Sequence, residues 1–455
     1  MEKTIAAIST APAPGGIGIV RISGGEAFAV AEKVFRGVSG KKVSQMKGYT
    51  AQLGGAYTPG GEKLDDVVAL VYRGPKSYTG EDVVELSCHG GLYMTKRLLQ
   101  LVLDAGAAPA GPGEFTRRAF LNGKMDLAQA EAVMGLISAS GEQARKAALA
   151  GSTGVLSKKI ESIKQRLLEQ AAHLAAWADF PEEDVPQVEE AALLEGIRQG
   201  EKALEELLQG FDRGRMYREG LVTVIAGRPN AGKSTLMNLL SGCQRSIVTQ
   251  YAGTTRDVVE ETVMVAGVPL RLADTAGIRD TDDPVESIGV QAARQRLETA
   301  QLVLAVFDSS QALEKEDWEL MDALEKVPAI AIVNKSDLPT RMDVEAIQKR
   351  FEKTVSLSAA TGEGLAALEQ ALSEILDTKD FYPQEGVLFT QRQRMDAQAA
   401  LDSLREGEQA LVLGLTLDAV TVCVEDALHA LAALTGEQVS EEIVDRVFEE
   451  FCVGK

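Results

Sequence analysis

The chain has 455 residues, of which 45% are hydrophobic and 25% charged, with a net charge of −20. This length suits roughly three domains, and the absence of any apolar run of about 18 residues argues against a membrane span. Four scattered cysteines (Cys88, Cys243, Cys423 and Cys452) and three histidines argue against a disulfide scaffold or a structural zinc site. The N-terminus lacks signal-peptide features, so we expect a protein of the reducing cytoplasm.

The charge is unevenly distributed along the chain. Residues 1–120 hold 14 Lys and Arg against 11 Asp and Glu, whereas the remaining residues hold 33 against 56. An acidic protein repels nucleic acid over most of its surface. The N-terminal third is therefore the least repulsive place for an anionic partner.

The first 121 residues predict an α+β domain. Short β-like runs at 17–22, 67–71 and 83–86 alternate with glycine and proline. From 122 to 216 the composition becomes helical, with one apolar stripe at helical spacing. That stripe consists of Ile160, Ile163, Leu167, Ala171 and Leu174. Phe180-Pro181 is predicted to break this helix before a second one at 188–208.

Between residues 217 and 378 the pattern predicts an α/β domain. Apolar strands at 221–226, 268–273, 302–307, 329–333 and 354–357 are separated by helical segments, which implies a parallel sheet covered on both faces. Helical texture returns at 379–455 and ends in a predicted apolar stripe of Ile443, Val444, Val447, Phe448 and Phe451. We therefore expect a multidomain α+β and α/β protein in which the α/β domain is inserted into a discontinuous helical domain.

The clearest chemical signal is a phosphate-binding loop. Gly227-Arg-Pro-Asn-Ala-Gly-Lys-Ser234 follows a predicted strand and precedes a predicted helix, Thr235–Leu240. Glycines let the backbone N–H groups converge on phosphate oxygens at a helix N-terminus. Lys233 would neutralise the β- and γ-phosphates, and the Ser234 hydroxyl would bind Mg²⁺.

Three further motifs follow in the order that a GTPase requires. Asp274-Thr-Ala-Gly277 would hold the Mg²⁺ shell and contact the γ-phosphate. Asn334-Lys-Ser-Asp337 would select guanine, because the Asp337 carboxylate accepts two hydrogen bonds from donors that adenine lacks. Ser358-Ala-Ala360 would contact the base carbonyl. Together these motifs predict a P-loop GTPase domain.

The group that drives hydrolysis is less evident from the residues. Gly253-Thr-Thr-Arg-Asp257 offers Thr255 as a second Mg²⁺ ligand, but Ile278 stands where many small GTPases carry a water-orienting glutamine. The nearby carboxylates are Asp280, Asp282, Asp283 and Glu286. Arg228 and Arg256 are expected to be solvated loop residues rather than arginine fingers, so another cation must balance the transition-state charge.

Beyond the GTPase motifs, the flanking segments resemble the MnmE (TrmE) family of tRNA-modification GTPases over essentially the whole chain. The resemblance rests on GRPNAGKS, AGTTRD, DTAGIR and NKSD at the centre. At the ends it rests on Pro14–Gly24, Tyr78–Glu85, Pro112–Lys124 and Phe451-Cys-Val-Gly-Lys455. It implies a folate-binding N-terminal domain that dimerises, a helical domain and an inserted GTPase domain.

The resemblance also implies an activity and its partners. Together with an FAD-containing partner, MnmG (GidA), in a heterotetramer or larger complex, a homodimer would modify the wobble uridine of certain tRNAs. It would add an aminomethyl or carboxymethylaminomethyl group at C5, with the one-carbon unit taken from 5,10-methylene-tetrahydrofolate; 5-formyl-tetrahydrofolate is a related ligand. No membrane is involved.

In the same family a potassium ion takes the place of an arginine finger. Transferred by motif, the K⁺ ligands are Asn230, Thr249, Tyr251 and Thr254, and the water-orienting residue is Glu286, with Lys233 as the other catalytic group. The complete set expected to bind GTP is Asn230, Ala231, Gly232, Lys233, Ser234, Thr235, Thr249, Gln250, Tyr251, Ala252, Gly253, Thr254, Thr255, Asp274, Thr275, Ala276, Gly277, Asn334, Lys335, Ser336, Asp337, Ser358, Ala359 and Ala360.

The folate residues implied by the resemblance are Arg21, Glu85, Lys124 and Lys455. A carboxylate can accept two adjacent pterin N–H groups, and cations can hold the anionic glutamate tail. Cys452 lies in a tail that the composition predicts to be mobile, where a thiolate adding to the uridine ring would activate C5. Cys88 and His89 are expected to point to opposite faces of a strand and to be structural.

Two other functions fit part of the sequence. A ribosome-assembly GTPase would share the central motifs but would not bind folate. A folate-dependent aminomethyltransferase regulated by GTP would share the N-terminal site but would not need GTP hydrolysis. Folate binding and a Lys233→Ala variant would separate the three possibilities.

Overall fold

The computed structural model describes residues 3–179, 189–242, 261–272, 300–376 and 385–455. The chain divides into two compact units. The first contains residues 1–134, 157–200 and 395–455, and the second contains residues 135–156 and 201–394. The domain segments 1–121, 122–216, 217–378 and 379–455 stay predictions.

The secondary structure alternates between strands and helices in the order that the sequence predicts. The described strands are β1 (Ile5–Ile8), β2 (Ile17–Ser23), β3 (Phe35–Gly37), β4 (Thr50–Tyr57), β5 (Lys63–Tyr72), β6 (Val83–His89), β7 (Ala108–Pro109), β8 (Leu221–Ala226), β9 (Glu261–Val265), β10 (Val268–Leu272), β11 (Leu302–Asp308), β12 (Ala329–Asn334) and β13 (Lys353–Ser356). The described helices are α1 (Ala27–Val34), α2 (Leu92–Asp104), α3 (Glu114–Leu121), α4 (Leu127–Ser138), α5 (Glu142–Ser152), α6 (Val155–Asp179), α7 (Glu190–Glu219), α8 (Lys233–Gly242), α9 (Lys315–Ala323), α10 (Val344–Gln348), α11 (Leu365–Ile375), α12 (Gln391–Val412), α13 (Leu417–Thr435) and α14 (Glu441–Glu449). None of these described helices is long and apolar enough to cross a membrane.

The first unit is built on a mainly antiparallel sheet. Within the described residues its strand order is β3-β4-β5-β6-β2-β1-β7, and only the β1–β7 pair is parallel. Successive side chains along a strand point to opposite faces. In β2 this buries Val20 and Ile22 in a core with Leu98 and Val102 of α2, whereas Arg21 faces the other side. The strands predicted at 17–22, 67–71 and 83–86 are confirmed.

The helical stripe predicted in the first unit is confirmed on α6. Ile160, Ile163, Leu167, Ala171 and Leu174 are all buried. The second predicted helix is present as α7, which extends beyond the predicted end at residue 208. The predicted break at Phe180-Pro181 lies outside the described residues.

The last helix, α14, buries a narrower stripe than the sequence predicts. Val444, Phe448 and Phe451 pack with Leu127 in one cluster. Ile443 is 42% exposed, so its place in the predicted stripe was wrong. It precedes Val444 by one residue, which turns its side chain by about 100° around the helix and away from the cluster.

The second unit contains a mainly parallel sheet. Its strand order in the described part of the chain is β13-β12-β11-β8-β10-β9, and only the β9–β10 pair is antiparallel. Every residue of β11 and β12 is buried, as expected for strands covered on both faces. This confirms the predicted α/β class. Because parallel strands end at the same edge, the segments after β8, β11, β12 and β13 lie together there.

Candidate functional site

The phosphate-binding loop joins β8 to α8. A Cβ atom at Gly227 would clash with the carbonyl oxygen of Val306 on β11, so the loop starts in close contact with the neighbouring strand. Gly232 has φ +97°, a conformation that favours glycine, and a Cβ there would meet the Asn334 amide. The backbone geometry therefore explains why these two positions carry glycine.

Lys233 is the first residue of α8, and its ammonium lies against the start of the same loop. Its Nζ donates to the carbonyl oxygens of Gly227 at 2.8 Å and Arg228 at 2.7 Å. Asn230, Ser234 and Thr235 are exposed around it, whereas Ala231 is buried. A cation and a helix N-terminus lie together here, which is the chemistry that binds phosphate.

Asn334, the last residue of β12, connects this loop to a third segment. Its side chain is buried; Nδ2 donates to the Ala231 carbonyl at 2.8 Å, and Oδ1 accepts from the Ala359 N–H at 2.9 Å. One amide thus joins the phosphate loop, the end of β12 and the segment after β13. The spacing between phosphate-binding and base-binding segments is fixed by this residue.

Asp337 and Ser358 form the part of the site expected to read the base. The Ser358 hydroxyl donates to Asp337 Oδ1 at 2.6 Å, and the Ser336 N–H donates to the Leu357 carbonyl at 3.3 Å. Ser358 is buried, whereas Asp337 and Ala360 are exposed. A carboxylate held by one oxygen can present the other to two neighbouring N–H donors.

Lys335 is held between two strand ends. Its Nζ donates to Asp308 Oδ2 at 2.7 Å, and its carbonyl oxygen accepts from the Ser309 hydroxyl at 3.0 Å. Burial raises the pKa of the Asp308 carboxyl, but hydrogen bonds from Lys335 and Ser310 outweigh it, so the pKa lies below its usual value. Asp308 is therefore a charged anchor for Lys335 that the sequence analysis missed.

Arg228 corrects one expectation about the loop. The sequence predicts a solvated side chain, but the guanidinium contacts Glu314 at 2.6 Å and Asp317 at 3.0 Å, and Arg228 and Asp317 are 11% and 3% exposed. The hydrogen bond to Glu314 raises the pKa of the Arg228 guanidinium. Both carboxylates cap the start of α9, and only the tertiary fold brings that helix to the loop.

Part of the expected nucleotide site lies outside the described residues. This applies to Thr249, Gln250, Tyr251, Ala252, Gly253, Thr254, Thr255, Asp274, Thr275, Ala276, Gly277 and Glu286. Their assignments, including the second Mg²⁺ ligand and three of the K⁺ ligands, stay predictions.

A second group of candidate residues lies on the first unit's sheet, on the face opposite α1 and α2. Arg21 on β2 is directly paired with Glu85 on β6. Its Nε and a terminal nitrogen contact Glu85 Oε1 at 2.9 and 2.8 Å, and both side chains are largely buried. Tyr72 donates to Glu85 Oε2 at 3.4 Å. The Arg21 guanidinium also lies 5.5 Å from the Phe115 ring centre.

The C-terminal tail crosses this face and is held to it, so the predicted mobility of the tail was wrong. Arg21 and the Ser9 hydroxyl donate to the Gly454 carbonyl at 3.3 and 3.2 Å. The Phe115 N–H donates to the Lys455 carbonyl at 3.1 Å. These contacts place Lys455 beside the Arg21–Glu85 pair, 434 residues after Arg21 in the sequence.

Lys455 and Cys452 are partly exposed at this site. Burial and the charge of Arg21 lower the pKa of the Lys455 ammonium, while Glu85 and Cys452 act in the opposite direction. By contrast, Cys88 is buried, and burial raises its pKa to about 11. Its neighbour His89 is exposed on the other face, which confirms that the two side chains point to opposite faces of the strand; their structural role stays a prediction.

The described contacts of Lys124 do not include Arg21 or Glu85. Its Nζ donates to the Pro75 carbonyl at 3.0 Å, and its side chain lies 3.5 Å from where a Cβ of Gly80 would be. Its assignment to folate stays a prediction. The sequence analysis also missed Tyr72 and Phe115, whose only signal was their position in or near motif segments.

Comparison with known proteins gives the family. Two family models match consecutive parts of the chain: the N-terminus of the GTP-binding protein TrmE over residues 4–124 and the MnmE helical domain over residues 127–452. The tRNA modification GTPase MnmE of Symbiobacterium thermophilum is 45% identical over 457 residues, and that of Alkaliphilus oremlandii is 43% identical over 459 residues. Both alignments cover 100% of each chain.

Among solved structures, Era from Aquifex aeolicus is 27% identical over 42% of this chain and 67% of that one, with a TM-score of 0.27. The family models and the full-length relatives suffice: this chain belongs to the MnmE family of tRNA modification GTPases, enzymes that bind and hydrolyse GTP.

Proposed function

We propose that this enzyme is a K⁺-dependent GTPase that acts as a homodimer with the FAD-containing partner MnmG in the cytoplasm. It adds an aminomethyl or carboxymethylaminomethyl group to C5 of the wobble uridine in certain tRNAs, with methylene-tetrahydrofolate as the one-carbon source. The observation that carries the proposal is the meeting of Arg21, Glu85 and the Lys455 tail on one sheet face, in a chain that also carries a GTPase site.

The described part of the nucleotide site fits GTP and Mg²⁺. The exposed Ser234 hydroxyl at the start of α8 is a suitable Mg²⁺ ligand, and the metal neutralises phosphate charge when bound. Lys233 provides a second cation at the loop, and Asn334 holds the loop at a fixed distance from the base-binding segment.

The case for potassium begins with Arg228. Its guanidinium is engaged by Glu314 and Asp317, so it is not free to serve as an arginine finger. Asn230 in the same loop is exposed and has φ +61°, and its amide oxygen is a ligand type that suits a hard cation. A K⁺ ion held there supplies positive charge where the departing γ-phosphoryl group develops negative charge.

The Arg21–Glu85 face fits a reduced folate. Glu85 Oε1 receives both Arg21 contacts, while Oε2 receives only the long Tyr72 bond among the described contacts. The carboxylate therefore keeps acceptor capacity for adjacent pterin N–H groups. Arg21 holds the Glu85 carboxylate in place, Lys455 supplies positive charge for the anionic folate, and Cys452 is proposed as the thiol that activates the uridine ring.

The deciding experiment is nucleoside mass spectrometry on tRNA from cells that lack the gene. Loss of 5-aminomethyl-type wobble uridines is expected, with restoration by the intact gene and by Glu62→Gln, an exposed control. Glu85→Gln, Lys233→Ala and Cys452→Ser are expected not to restore them. Unchanged tRNA in the deletion strain would overturn the proposal.

One binding measurement and one rate measurement test the folate and potassium parts of the proposal separately. Saturable binding of 5-formyl-tetrahydrofolate, weakened by Glu85→Gln, distinguishes this function from ribosome assembly. GTP hydrolysis is expected to be faster in K⁺ than in Na⁺, and Asn230→Ala should remove that difference while Asn238→Ala, exposed on α8, leaves it intact. Equal rates in both salts would exclude a potassium site.

A further inference from the structure

The longest stretch of unopposed positive charge in the first unit lies between α1 and β5. From residue 33 to residue 61 the sequence contains Lys33, Arg36, Lys41, Lys42 and Lys47 but no Asp or Glu, in a chain whose net charge is −20. We call residues 38–49 the basic loop. Because most of the protein is acidic, this segment is the part of the first unit where an anionic polymer would meet the least repulsion.

The basic loop is held in one shape by contacts beneath it. Val43 and Met46 are 1% and 4% exposed and belong to the core of the sheet. Arg73, the residue after β5, donates to the Met46 carbonyl at 2.9 and 3.0 Å and also to the Ser44 carbonyl. Its guanidinium lies 4.8 Å from the Phe28 ring centre. Core packing and the hydrogen bonds from Arg73 therefore fix the conformation of the basic loop.

The outer side of the basic loop carries free charge. Lys41, Lys42 and Lys47 are exposed, and none of them forms an ion pair with the described residues. The Glu32 carboxylate lies beside Lys42 and accepts the Ser44 N–H at 2.8 Å. Burial raises the pKa of Glu32, but the Ser44 bonds and the charge of Lys42 outweigh it. Three ammonium groups thus face solvent with one carboxylate nearby.

An aromatic ring ends the loop. Tyr49 is 64% exposed although its backbone is held in the left-handed region at φ +61°, with its N–H bonded to the Val71 carbonyl at 2.7 Å. Its ring meets the Tyr72 ring edge-on at 5.5 Å, and Tyr72 contacts Glu85. A bulky residue rarely adopts this conformation unless the fold imposes it. The exposed ring consequently lies one side chain away from the candidate folate site.

We propose that the basic loop is a tRNA-binding site, in which Lys41, Lys42 and Lys47 bind backbone phosphates and Tyr49 stacks on an unpaired base beside the Arg21–Glu85 site. Lysines that neutralise phosphates supply sequence-independent affinity, and aromatic side chains stack on bases splayed from RNA loops. This inference rests on the proposed function, because it assigns the place where its tRNA substrate binds.

The test measures equilibrium binding of the full-length chain to an unmodified tRNA transcript with a wobble uridine, at several KCl concentrations. The triple variant Lys41→Ala, Lys42→Ala, Lys47→Ala should bind at least about tenfold more weakly, and its slope of log affinity against log salt should fall by about 2 to 3. The matched control Lys158→Ala, Lys159→Ala, Lys202→Ala removes three exposed lysines with the same charge change. It should match the wild type.

A second pair of variants tests the ring. Tyr49→Ala should weaken tRNA binding about tenfold, and Tyr49→Phe should retain it, because stacking needs the ring and not the hydroxyl. GTP hydrolysis is measured for every variant and should stay at the wild-type rate, which shows that each protein is folded.

The inference fails if the two triple variants bind tRNA equally. It also fails if the basic-loop variant changes self-association, seen by sedimentation, without changing tRNA affinity, since the loop would then contact protein. A wild-type chain that does not bind tRNA would overturn it as well. The proposed function would still be judged separately, by folate binding and nucleoside analysis.

Discussion

Asn334 and Ala231 are 103 residues apart in the sequence, yet the Asn334 side chain donates to the Ala231 carbonyl at 2.8 Å. The same side chain accepts the Ala359 N–H. The residue that begins the guanine motif is therefore a structural brace for the phosphate loop.

Asn334→Ala is expected to weaken GTP binding by about one to two orders of magnitude, because it leaves a buried carbonyl and a buried N–H unpaired at a cost of about 1–3 kcal/mol. Equilibrium titration with a fluorescent GTP analogue measures the effect. Asn238→Ala is the control and should bind like the wild type. Equal affinities of the two variants would show that the brace is dispensable.

Arg228→Gln is expected to lower the free energy of unfolding of the second unit by about 3 kcal/mol, since it leaves the Asp317 carboxylate buried without its partner. Arg350→Gln breaks the exposed pair with Asp322 and should cost less than about 1 kcal/mol. Urea denaturation followed by circular dichroism compares them. GTP hydrolysis at low temperature should persist in Arg228→Gln, and its abolition in folded protein would mean that Arg228 serves catalysis directly.

Gly454→Ala is expected to release the C-terminal tail. Gly454 has φ +95°, and a Cβ there would clash with the Ile8 carbonyl. Gly414 has φ +70° in open space, so Gly414→Ala carries the backbone strain without the clash. Alkylation of Cys452, followed by peptide mass spectrometry, should be several-fold faster in Gly454→Ala alone. If both variants react at the wild-type rate, the tail does not depend on this close contact.

The lowered pKa of Lys455 predicts how folate binding changes with pH. Burial and the charge of Arg21 favour the neutral amine, so the pKa of the Lys455 ammonium lies below the ordinary lysine value of 10.5. Affinity for an anionic folate should therefore begin to fall below that pH as the solution becomes alkaline. Titrations with 5-formyl-tetrahydrofolate from neutral to alkaline pH test this. Lys455→Arg, which stays charged, should hold its affinity over the range, and identical profiles for both proteins would exclude Lys455 as the titrating group.

The sequence alone predicted the fold class and most strand positions, because the signals are local. Each signal follows from the side-chain spacing within a single element. The examples are the alternation in β2, the continuous apolar runs in β11 and β12, and the stripe on α6. The phosphate loop was equally readable, since its glycines serve a backbone shape that Gly227 and Gly232 show. By contrast, Ile443 was misplaced because a stripe one residue too wide still fits a helical period.

The tertiary structure decided those contacts between distant segments that no motif signals. A charged residue gives no sign of its partner, so neither the capture of Arg228 by α9 nor the bond from Arg21 to the Gly454 carbonyl was predicted, although the family resemblance had assigned Arg21 and Lys455 to one site. Both depend on which strand ends and helix starts meet after packing. Local periodicity determines each element, whereas burial of those elements against one another determines which side chains become neighbours.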